Sequence, residues 1–409
     1  MIEYETEYEY VRRLRLAMSM PSQGMLRSKK LIWKMNYEDS RRAFCDFPGK
    51  YIATSMFLPS EIIAAMDYPF IPYEPLAVSV GMMDFNKGLI ERSERHFEGM
   101  QLCSPIEVMI GMIEEEMIPP PGAIALSSYM CDDAQKMYEL IARRYNCKSF
   151  FLDMPFDSNE TSIKYIEEQI KSLVSFLEEY IGKKMDPESL KKAIDRSNKA
   201  NDLRYKILEM RAKYQLTEVS DVFPLYPMFT KFGRKEPLAI LEALYDEMRE
   251  MIDLDRLFKP KYRIMWLGMI PLLHNKLIKT IERTYDAGIA IEENSLFSLW
   301  SDIDPERPYE GLAKKCVAYH PMGNVNRRIE AVNKFHDMFR VDGVIHFSHQ
   351  GCRAYNGGVP FIAREMKRRG IPFVELNGDI IDRRNFNEGS LGLRLESFFD
   401  VIEGKRNNL

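Results

Sequence analysis

The chain has 409 residues, of which 45% are hydrophobic and 29% are charged, a composition typical of globular rather than disordered or fibrous proteins. At ~100–200 residues per domain, this length predicts two or three domains. The net charge of −4 at pH 7 excludes the strong positive field with which proteins bind nucleic acids or anionic membranes. Six cysteines are too few for a disulfide scaffold, so we expect them to be thiols or metal ligands.

No segment predicts secretion or a membrane span. The first residues are acidic and lack the apolar core of a secretion signal. The longest uninterrupted apolar run, residues 264–273, has ten residues, whereas a spanning helix needs ~20. We therefore expect a cytoplasmic protein that has neither a membrane nor a nucleic acid as a partner.

The first part of the chain predicts a helical segment followed by an α/β domain. Residues 1–47 carry apolar side chains at helical spacing between charged ones. Residues 48–158 change to short apolar runs between helical stretches, which is typical of a parallel sheet. In this first α/β domain we predict strands at 50–54, 123–127 and 149–153, and helices at 59–67 and 132–145.

The rest of the chain predicts a helical connector and a second α/β domain. Residues 159–258 show helical spacing without a strand pattern. The alternation returns in residues 259–409, with strands predicted at 262–267, 343–348 and 372–376 and helices at 324–340, 357–369 and 390–402. We therefore predict an α/β fold with two parallel-sheet, flavodoxin- or Rossmann-like domains and helical N-terminal and connecting segments.

Three cysteines lie where reactive groups gather in parallel α/β proteins, at strand ends and helix starts. Cys131 follows a predicted strand and precedes a helix, and Cys352 lies four residues past the end of another strand. Cys103 precedes Ser104-Pro105, and proline is favoured at the first helical position. Helix starts stabilise the thiolate, which is the form that binds metal. Without any Cys-x-x-Cys spacing, unrelated core thiols remain an alternative, and that is how we interpret Cys45, Cys147 and Cys316.

Several short segments occur in a characteristic order along the chain. They are Phe57-Leu58-Pro59-Ser60-Glu61, Tyr73-Glu74-Pro75, Leu102-Cys103-Ser104, Met130-Cys131-Asp132-Asp133, Lys261-Tyr262-Arg263-Ile264-Met265, His349-Gln350-Gly351-Cys352-Arg353, and Gly378-Asp379 followed by Asp382-Arg383. Together they resemble the 2-hydroxyacyl-CoA dehydratase family, which also contains the benzoyl-CoA reductase subunits. The resemblance extends from about residue 45 to the end of the chain.

The resemblance implies a cofactor and two protein partners. In the family, cysteines matching Cys103, Cys131 and Cys352 hold one 4Fe-4S cluster. Three protein thiolates leave one iron without a protein ligand, and an open coordination position lets a metal contact substrate, as in catalytic zinc sites. The family, which works in anaerobic metabolism, also implies a heterodimer with a related second subunit. A separate ATP-dependent iron–sulfur activator protein would inject the electron.

The resemblance also implies catalytic residues. Glu74 and Ser55 fall where the substrate-handling subunit carries its active-site glutamate and serine, although the match for Ser55 needs one extra residue. We expect Glu74 to be the acid/base, placed by flanking prolines in a rigid loop, and Ser55 to orient the substrate. His349 is a candidate donor to cluster sulfide or to a substrate carbonyl. Taken singly, a turn carboxylate, a capping serine and a structural histidine remain open interpretations.

The implied activity is that of a hydro-lyase subunit that removes water from an (R)-2-hydroxyacyl-CoA. One electron added to the thioester carbonyl gives a ketyl radical anion, which expels the 2-hydroxyl and acidifies the C3 hydrogen for removal by a carboxylate. Two alternatives stay open: a benzoyl-CoA reductase-type subunit that reduces an aromatic acyl-CoA, and a non-catalytic electron-relay partner. Residues 268–274 lack the Trp and Cys common in short-chain dehydratases, so the acyl group is open too.

Overall fold

The computed structural model describes residues 8–19, 25–82, 88–95, 102–129, 131–215, 228–271, 275–296, 300–319 and 323–406. Its strands are β1 (Ile52–Thr54), β2 (Phe70–Pro72), β3 (Ala123–Ser127), β4 (Lys148–Leu152), β5 (Tyr262–Gly268), β6 (Ala287–Glu292), β7 (Gly343–His349) and β8 (Phe373–Gly378). Its helices are α1 (Glu9–Ser19), α2 (Arg27–Arg41), α3 (Glu61–Ala65), α4 (Tyr73–Met82), α5 (Leu89–Glu94), α6 (Ser104–Glu114), α7 (Asp132–Tyr145), α8 (Glu160–Ile181), α9 (Pro187–Lys213), α10 (Lys235–Asp253), α11 (Asn275–Thr284), α12 (Pro308–Ala318), α13 (Val325–Phe339), α14 (Arg353–Asn356), α15 (Val359–Arg368) and α16 (Glu388–Arg406).

The strands form two four-stranded sheets with the same topology. The first sheet has the order β2-β1-β3-β4 and the second has the order β6-β5-β7-β8. All neighbouring strands are parallel. Each order matches the first four positions of the flavodoxin-like arrangement, in which the chain direction across the sheet reverses between the first and third strands. The predicted α/β class with two parallel sheets is confirmed.

Two strands were missed by sequence reasoning, and each has a physical reason. Strand β2 has only three residues and ends in Pro72, so its pattern is too short to distinguish from a turn. Strand β6 contains Gly288 and ends in Glu292, features that weaken a strand pattern. Glu292 is nevertheless fully buried, because Arg211 of α9 binds its carboxylate through two nitrogens at 3.1 and 2.5 Å.

The apolar cores join the sheets to the helices around them. One core contains Ile124 of β3, Trp266 of β5 and Phe347 of β7, so the two sheets share buried surface. A second core contains Ile52 of β1 and Ile166 of α8, so helices of the connecting segment share buried surface with the first sheet. The first sheet lies inside residues 48–158 and the second inside 259–409, while the domain boundaries themselves stay a prediction.

The N-terminal helix α2 packs against α10 of the connecting segment. Buried Asp39 of α2 accepts a hydrogen bond from Lys231 at 2.7 Å and lies 2.5 Å from Arg234, which immediately precedes α10. Hence α2 is anchored to the body of the chain rather than projecting from it. None of the described helices is long and apolar enough to cross a membrane.

Candidate functional site

A cavity of about 450 Å³ opens at the carboxyl ends of both sheets. In parallel sheets, ligands bind where the strand order reverses, because the chain leaves neighbouring strands in opposite directions there. These points are β1/β3 in the first sheet and β5/β7 in the second. Ser55 follows β1, whereas His349 is the last residue of β7. Both line the cavity, so the two reversal points face one space.

The structure brings all six sequence-predicted site residues to this cavity. They come from both sheets and from the helices that follow the strands, and they are Ser55, Glu74, Cys103, Cys131, His349 and Cys352. The other three cysteines lie elsewhere. Cys147 donates a hydrogen bond to the Pro121 carbonyl at 3.0 Å, and Cys316 is buried inside α12. Cys45 belongs to the π-helical segment Arg42–Asp46.

Each cavity cysteine lies at the start of a helix. Cys103, Cys131 and Cys352 are the residues immediately before α6, α7 and α14. The first N–H groups of a helix lack helical partners, so a sulfur at this position can accept from them. Cys131 Sγ accepts from the Ala134 N–H at 3.3 Å. Cys103 and Cys131 therefore lie at helix starts as expected, and Cys352, which was expected just past a strand end, also precedes a short helix.

The electrostatic surroundings keep the three thiols neutral in the absence of a cation. Burial raises the pKa of Cys131 to about 12, although the N–H of Ala134 opposes the shift. Burial also raises the pKa of Cys103 and of Cys352, and the thiols at 131 and 352 raise that of Cys103 further. A coordinating metal reverses this balance, since a thiol that binds a metal is deprotonated outright. Within the described ranges, no three His, Cys, Asp or Glu side chains converge closely enough to hold a single metal ion.

His349 connects the second sheet to Cys103. Its Nε2 lies 3.2 Å from Cys103 Sγ, and its Nδ1 accepts from the Ile380 N–H at 3.3 Å. Because Nδ1 accepts, the ring hydrogen belongs on Nε2 and points at the sulfur. Burial lowers the pKa of His349, with Asp379 opposing the shift, so the ring is neutral at pH 7. A neutral donor of this kind stabilises a thiolate without adding a proton to it.

Glu74 lies in the first turn of α4, directly after β2, and not in the loop that its flanking prolines predict. The Tyr138 hydroxyl oxygen lies 3.0 Å from Glu74 Oε2 and 2.5 Å from the Thr54 carbonyl oxygen, and both oxygens are acceptors. A phenol has one proton, so these two acceptors compete for it, and protonation of Glu74 relieves the competition. Burial raises the pKa of Glu74 to about 7, partly offset by hydrogen bonds from its own N–H and from Tyr138.

Ser55 bridges the two strands at the reversal point of the first sheet. Its Oγ accepts from the Ser127 N–H at 2.8 Å, and its own N–H donates to the Ala125 carbonyl at 3.2 Å. The hydroxyl proton is then left for a ligand in the cavity. Ser55 thus has a structural role whatever else it does.

Comparisons with known proteins show the family of this chain. Residues 55–402 match the family described as 2-hydroxyglutaryl-CoA dehydratase, D-component. The chain belongs to this family. It is 25% identical over 387 residues to a benzoyl-CoA reductase subunit of Thauera aromatica, covering 86% of this chain and 89% of that one. It is 24% identical over 373 residues to the (R)-phenyllactyl-CoA dehydratase alpha subunit of Clostridium sporogenes, covering 85% and 88%.

A third relative is the (R)-2-hydroxyglutaryl-CoA dehydratase subunit alpha of Acidaminococcus fermentans. It is 26% identical over 301 residues, covering 70% of this chain and 61% of the relative. The named dehydratases and the named reductase are similar to this chain at nearly the same level. Identity alone therefore does not separate the two activities within the dehydratase family.

Sequence reasoning missed several residues of this dehydratase-family site. Tyr138, which contacts Glu74, sits inside α7 with no motif around it. The rings of Phe57 and Tyr129 line the cavity with centroids 4.3 Å apart, and Tyr319 packs against both. One of these rings, Phe57, belongs to a segment that carries the family resemblance. Tyr129 and Tyr319 belong to no such segment, and no sequence pattern distinguishes an aromatic residue that lines a cavity from one that does not.

Proposed function

We propose that this chain is the iron–sulfur subunit of an (R)-2-hydroxyacyl-CoA dehydratase that binds the substrate. One observation carries the proposal: three cysteines, a carboxylate with a pKa of about 7 and a serine from both domains line a single cavity. Family membership supports it, as does similarity to chains named dehydratase alpha subunits. The cavity of about 450 Å³ has the size of a small-molecule site.

Cys103, Cys131 and Cys352 would hold a 4Fe-4S cluster. All three cysteines line one cavity, and the three thiolates implied by the family resemblance are the donors that such clusters use. Helix-start N–H groups and the Nε2–H of His349 stabilise thiolates there. When bound, the cluster would supply one electron to the thioester and an iron with an open coordination position.

Glu74 would move the protons of the elimination. A pKa of about 7 leaves its carboxyl partly ionised near neutral pH, so it can accept the C3 proton and pass a proton to the departing hydroxyl. Tyr138 fixes the carboxyl by a hydrogen bond at 3.0 Å. Ser55 would donate its hydroxyl proton to the substrate, because its oxygen is already held by the Ser127 N–H. Apolar rings such as Phe57 keep water from the reacting carbon.

The proposed enzyme is a heteromer. Relatives named as alpha subunits support a related second subunit in a heterodimer. An ATP-dependent iron–sulfur activator would deliver the initiating electron. The second candidate function, reduction of an aromatic acyl-CoA, is favoured by the similarity to the benzoyl-CoA reductase chain and by the aromatic wall of Phe57 and Tyr129. An electron-relay subunit, in contrast, would hold a cluster and bind no acyl-CoA.

Electron stoichiometry tests the proposal. The chain, its partner and the activator are supplied with a (R)-2-hydroxyacyl-CoA and a limiting amount of reductant under strict anaerobiosis. A dehydratase recycles the electron, so we expect many enoyl-CoA molecules per electron added. Consumption of reductant in proportion to product indicates ring reduction instead. In parallel, the isolated chain should bind acyl-CoA in equilibrium dialysis, and failure to bind would favour the electron-relay alternative.

A further inference from the structure

One carboxylate connects the segments that carry the three cavity cysteines. Asp133 is the second residue of α7, two residues after Cys131, and only 3% of it is exposed. Its Oδ2 accepts from the Cys103 N–H at 3.2 Å. Its Oδ1 accepts from the guanidinium of Arg353, the residue after Cys352. Each oxygen of Asp133 therefore contacts the segment of a different cysteine.

We propose that Asp133 is a positioning residue that holds the segments of Cys103, Cys131 and Cys352 together across the two domains before any cofactor binds. This proposal depends on the proposed function in one respect only, namely that the three thiols hold a 4Fe-4S cluster. The closure of the three segments is a property of the polypeptide alone and can be measured without iron.

The chemistry of a carboxylate suits this task. It has two oxygens with about four acceptor sites, so one side chain can bind a backbone N–H and a guanidinium at the same time. Hydrogen bonds that involve a charged partner are roughly twice as strong as neutral ones. The first turn of α7 also favours a negative charge, because the helix dipole is positive there. An amide in place of this carboxylate keeps one acceptor oxygen and loses the second.

The preceding residue offers a natural comparison. Asp132 has the same charge and lies in the same helical turn, but its side chain is 56% exposed. Its Oδ2 accepts from Arg353 at 2.9 Å, and it also lies 3.9 Å from Lys136. An exposed pair of this kind contributes little. The described contacts of Asp132 do not reach the Cys103 segment, so it is a matched control for Asp133.

Other close contacts are consistent with a preformed junction. Gly351 has φ of +81°, and a Cβ there would lie 2.7 Å from the Leu102 carbonyl oxygen and 3.1 Å from Cys103 Cα. Ser104 donates to Asp379 of the second domain at 2.6 Å. The Cys103 segment is therefore packed against the second domain, and Asp133 adds the Cys131 segment to that junction.

Bifunctional thiol labelling tests the proposal on the full-length, metal-free, reduced chain. Dibromobimane bridges two thiols only when they are near each other, and peptide mass mapping identifies the bridged pairs. We expect Asp133→Asn to lower the yield of Cys103–Cys131 and Cys131–Cys352 bridges about tenfold, the scale of one lost charge-assisted hydrogen bond. Asp132→Asn should change the yield by less than about twofold. Labelling with one-armed monobromobimane should be equal in all variants.

Two further variants separate positioning from general stability. Arg353→Gln alters an exposed side chain and should reduce only the bridges to Cys352, leaving Cys103–Cys131 bridging intact. Asp133→Glu keeps both oxygens and should recover part of the lost yield. Native-like bridging in Asp133→Asn would overturn the proposal, as would an equal loss in Asp132→Asn. If Arg353→Gln lost the Cys103–Cys131 bridge as well as the bridges to Cys352, the proposal would also be contradicted.

Iron reconstitution distinguishes this inference from the proposed function. Asp133→Asn should take up iron and sulfide as the native chain does but release iron to a chelator about tenfold faster. If the native chain takes up no iron, the cluster proposal fails while the bridging result still decides the role of Asp133. If bridging is unaffected by Asp133→Asn, the role of Asp133 is refuted even when the chain binds a cluster.

Discussion

The reversal points of the two sheets share a topology but differ in how the charges beside them are paired. Beside β5 and β7 of the second sheet, the buried charges bind one another. Arg328 binds Glu293 through nitrogens at 2.6 and 2.8 Å, and Glu293 accepts from the Gly268 N–H at 2.8 Å. Arg328 also lies 3.1 Å from His346, whose pKa is lowered to about 3 by burial and by that cation.

Beside the first sheet, the described charges are not paired in this way. Ser55 holds the strand ends together, and the one described carboxylate on the cavity wall from this domain, Glu74, has no cation bound to it within the described contacts. The comparison teaches that buried, paired charges lie beside the second sheet, whereas the first sheet supplies an ionisable group. A stability variant should act on the former and an activity variant on the latter.

The largest expected effect is on stability, at the second sheet. Arg328→Met leaves Glu293 buried without its cation, and breaking a buried pair costs about 3–5 kcal/mol. Denaturant unfolding measures this loss. Arg368→Met is the control. The Arg368 side chain is 72% exposed, so its ion pair with Glu365 should contribute at most about 1 kcal/mol to stability. If both variants lost the same amount of unfolding free energy, the buried charge pair beside the second sheet would have no special role in stability.

The next effect is on turnover, at the first sheet. Glu74→Gln keeps the shape of the side chain and removes its ionisation, so turnover should fall ~100-fold or more while the iron content stays native. Glu107→Gln is the control, because burial also raises the pKa of Glu107 to about 7 but this residue does not line the cavity. Normal turnover of Glu74→Gln with substrate and partner present would mean that Glu74 is a structural carboxylate.

A smaller effect concerns pH. The folded-state pKa of Glu74, about 7, lies above its ordinary 4.5, so the folded protein holds this proton more tightly than the unfolded chain. The resulting stability is present in full below about pH 4.5 and is lost as the pH rises through about 7. Glu74→Gln cannot ionise and escapes this loss. The difference in unfolding free energy between Glu74→Gln and the native protein should therefore grow in favour of the variant between about pH 5 and 8. If the two stability curves run parallel over this range, the raised pKa of Glu74 is contradicted.

The smallest effect belongs to Ser55. Ser55→Ala removes the acceptor of the Ser127 N–H, and the loss of one buried hydrogen bond costs about 1–3 kcal/mol. If Ser55 also orients substrate, KM rises in addition. Ser197→Ala is a suitable control. The Ser197 hydroxyl donates to buried Glu61 at 2.6 Å, and neither residue lines the cavity. A rise in KM that is equal in both variants would assign Ser55 a structural role alone.

Much of this architecture is readable from local sequence signals. Helix α7 was predicted with its observed bounds. In the structure, Cys131 caps its start, acidic residues fill its first turn and Asn146 ends it in a left-handed conformation. Local signals also placed Cys103 and Cys131 before helices and Cys352 just past the end of a strand. The family resemblance, not periodicity, is what singled out Glu74 and Ser55.

The remaining features depend on contacts between distant parts of the chain. Glu74 was expected in a loop because prolines flank it, but the segment continues β2 directly into α4. The roles of Asp133 and Tyr138 come from contacts with residues 30 and 64 positions away. Burial of Glu292 likewise requires Arg211, 81 positions away. No local pattern encodes such pairings, so only the folded chain reveals them.

Iron and sulfide counting on anaerobically purified variants tests most directly the claim that both sheets hold one cluster. Cys131→Ala changes the cavity cysteine that comes after a strand of the first sheet, and Cys352→Ala changes the one that comes after a strand of the second sheet. Cys147→Ala is the control, because Cys147 lies outside the cavity. The native chain and the control should contain about four irons and four sulfides per chain, the content of one 4Fe-4S cluster. Both cavity variants should lose most of this iron. Undiminished iron after either Cys131→Ala or Cys352→Ala would contradict the account.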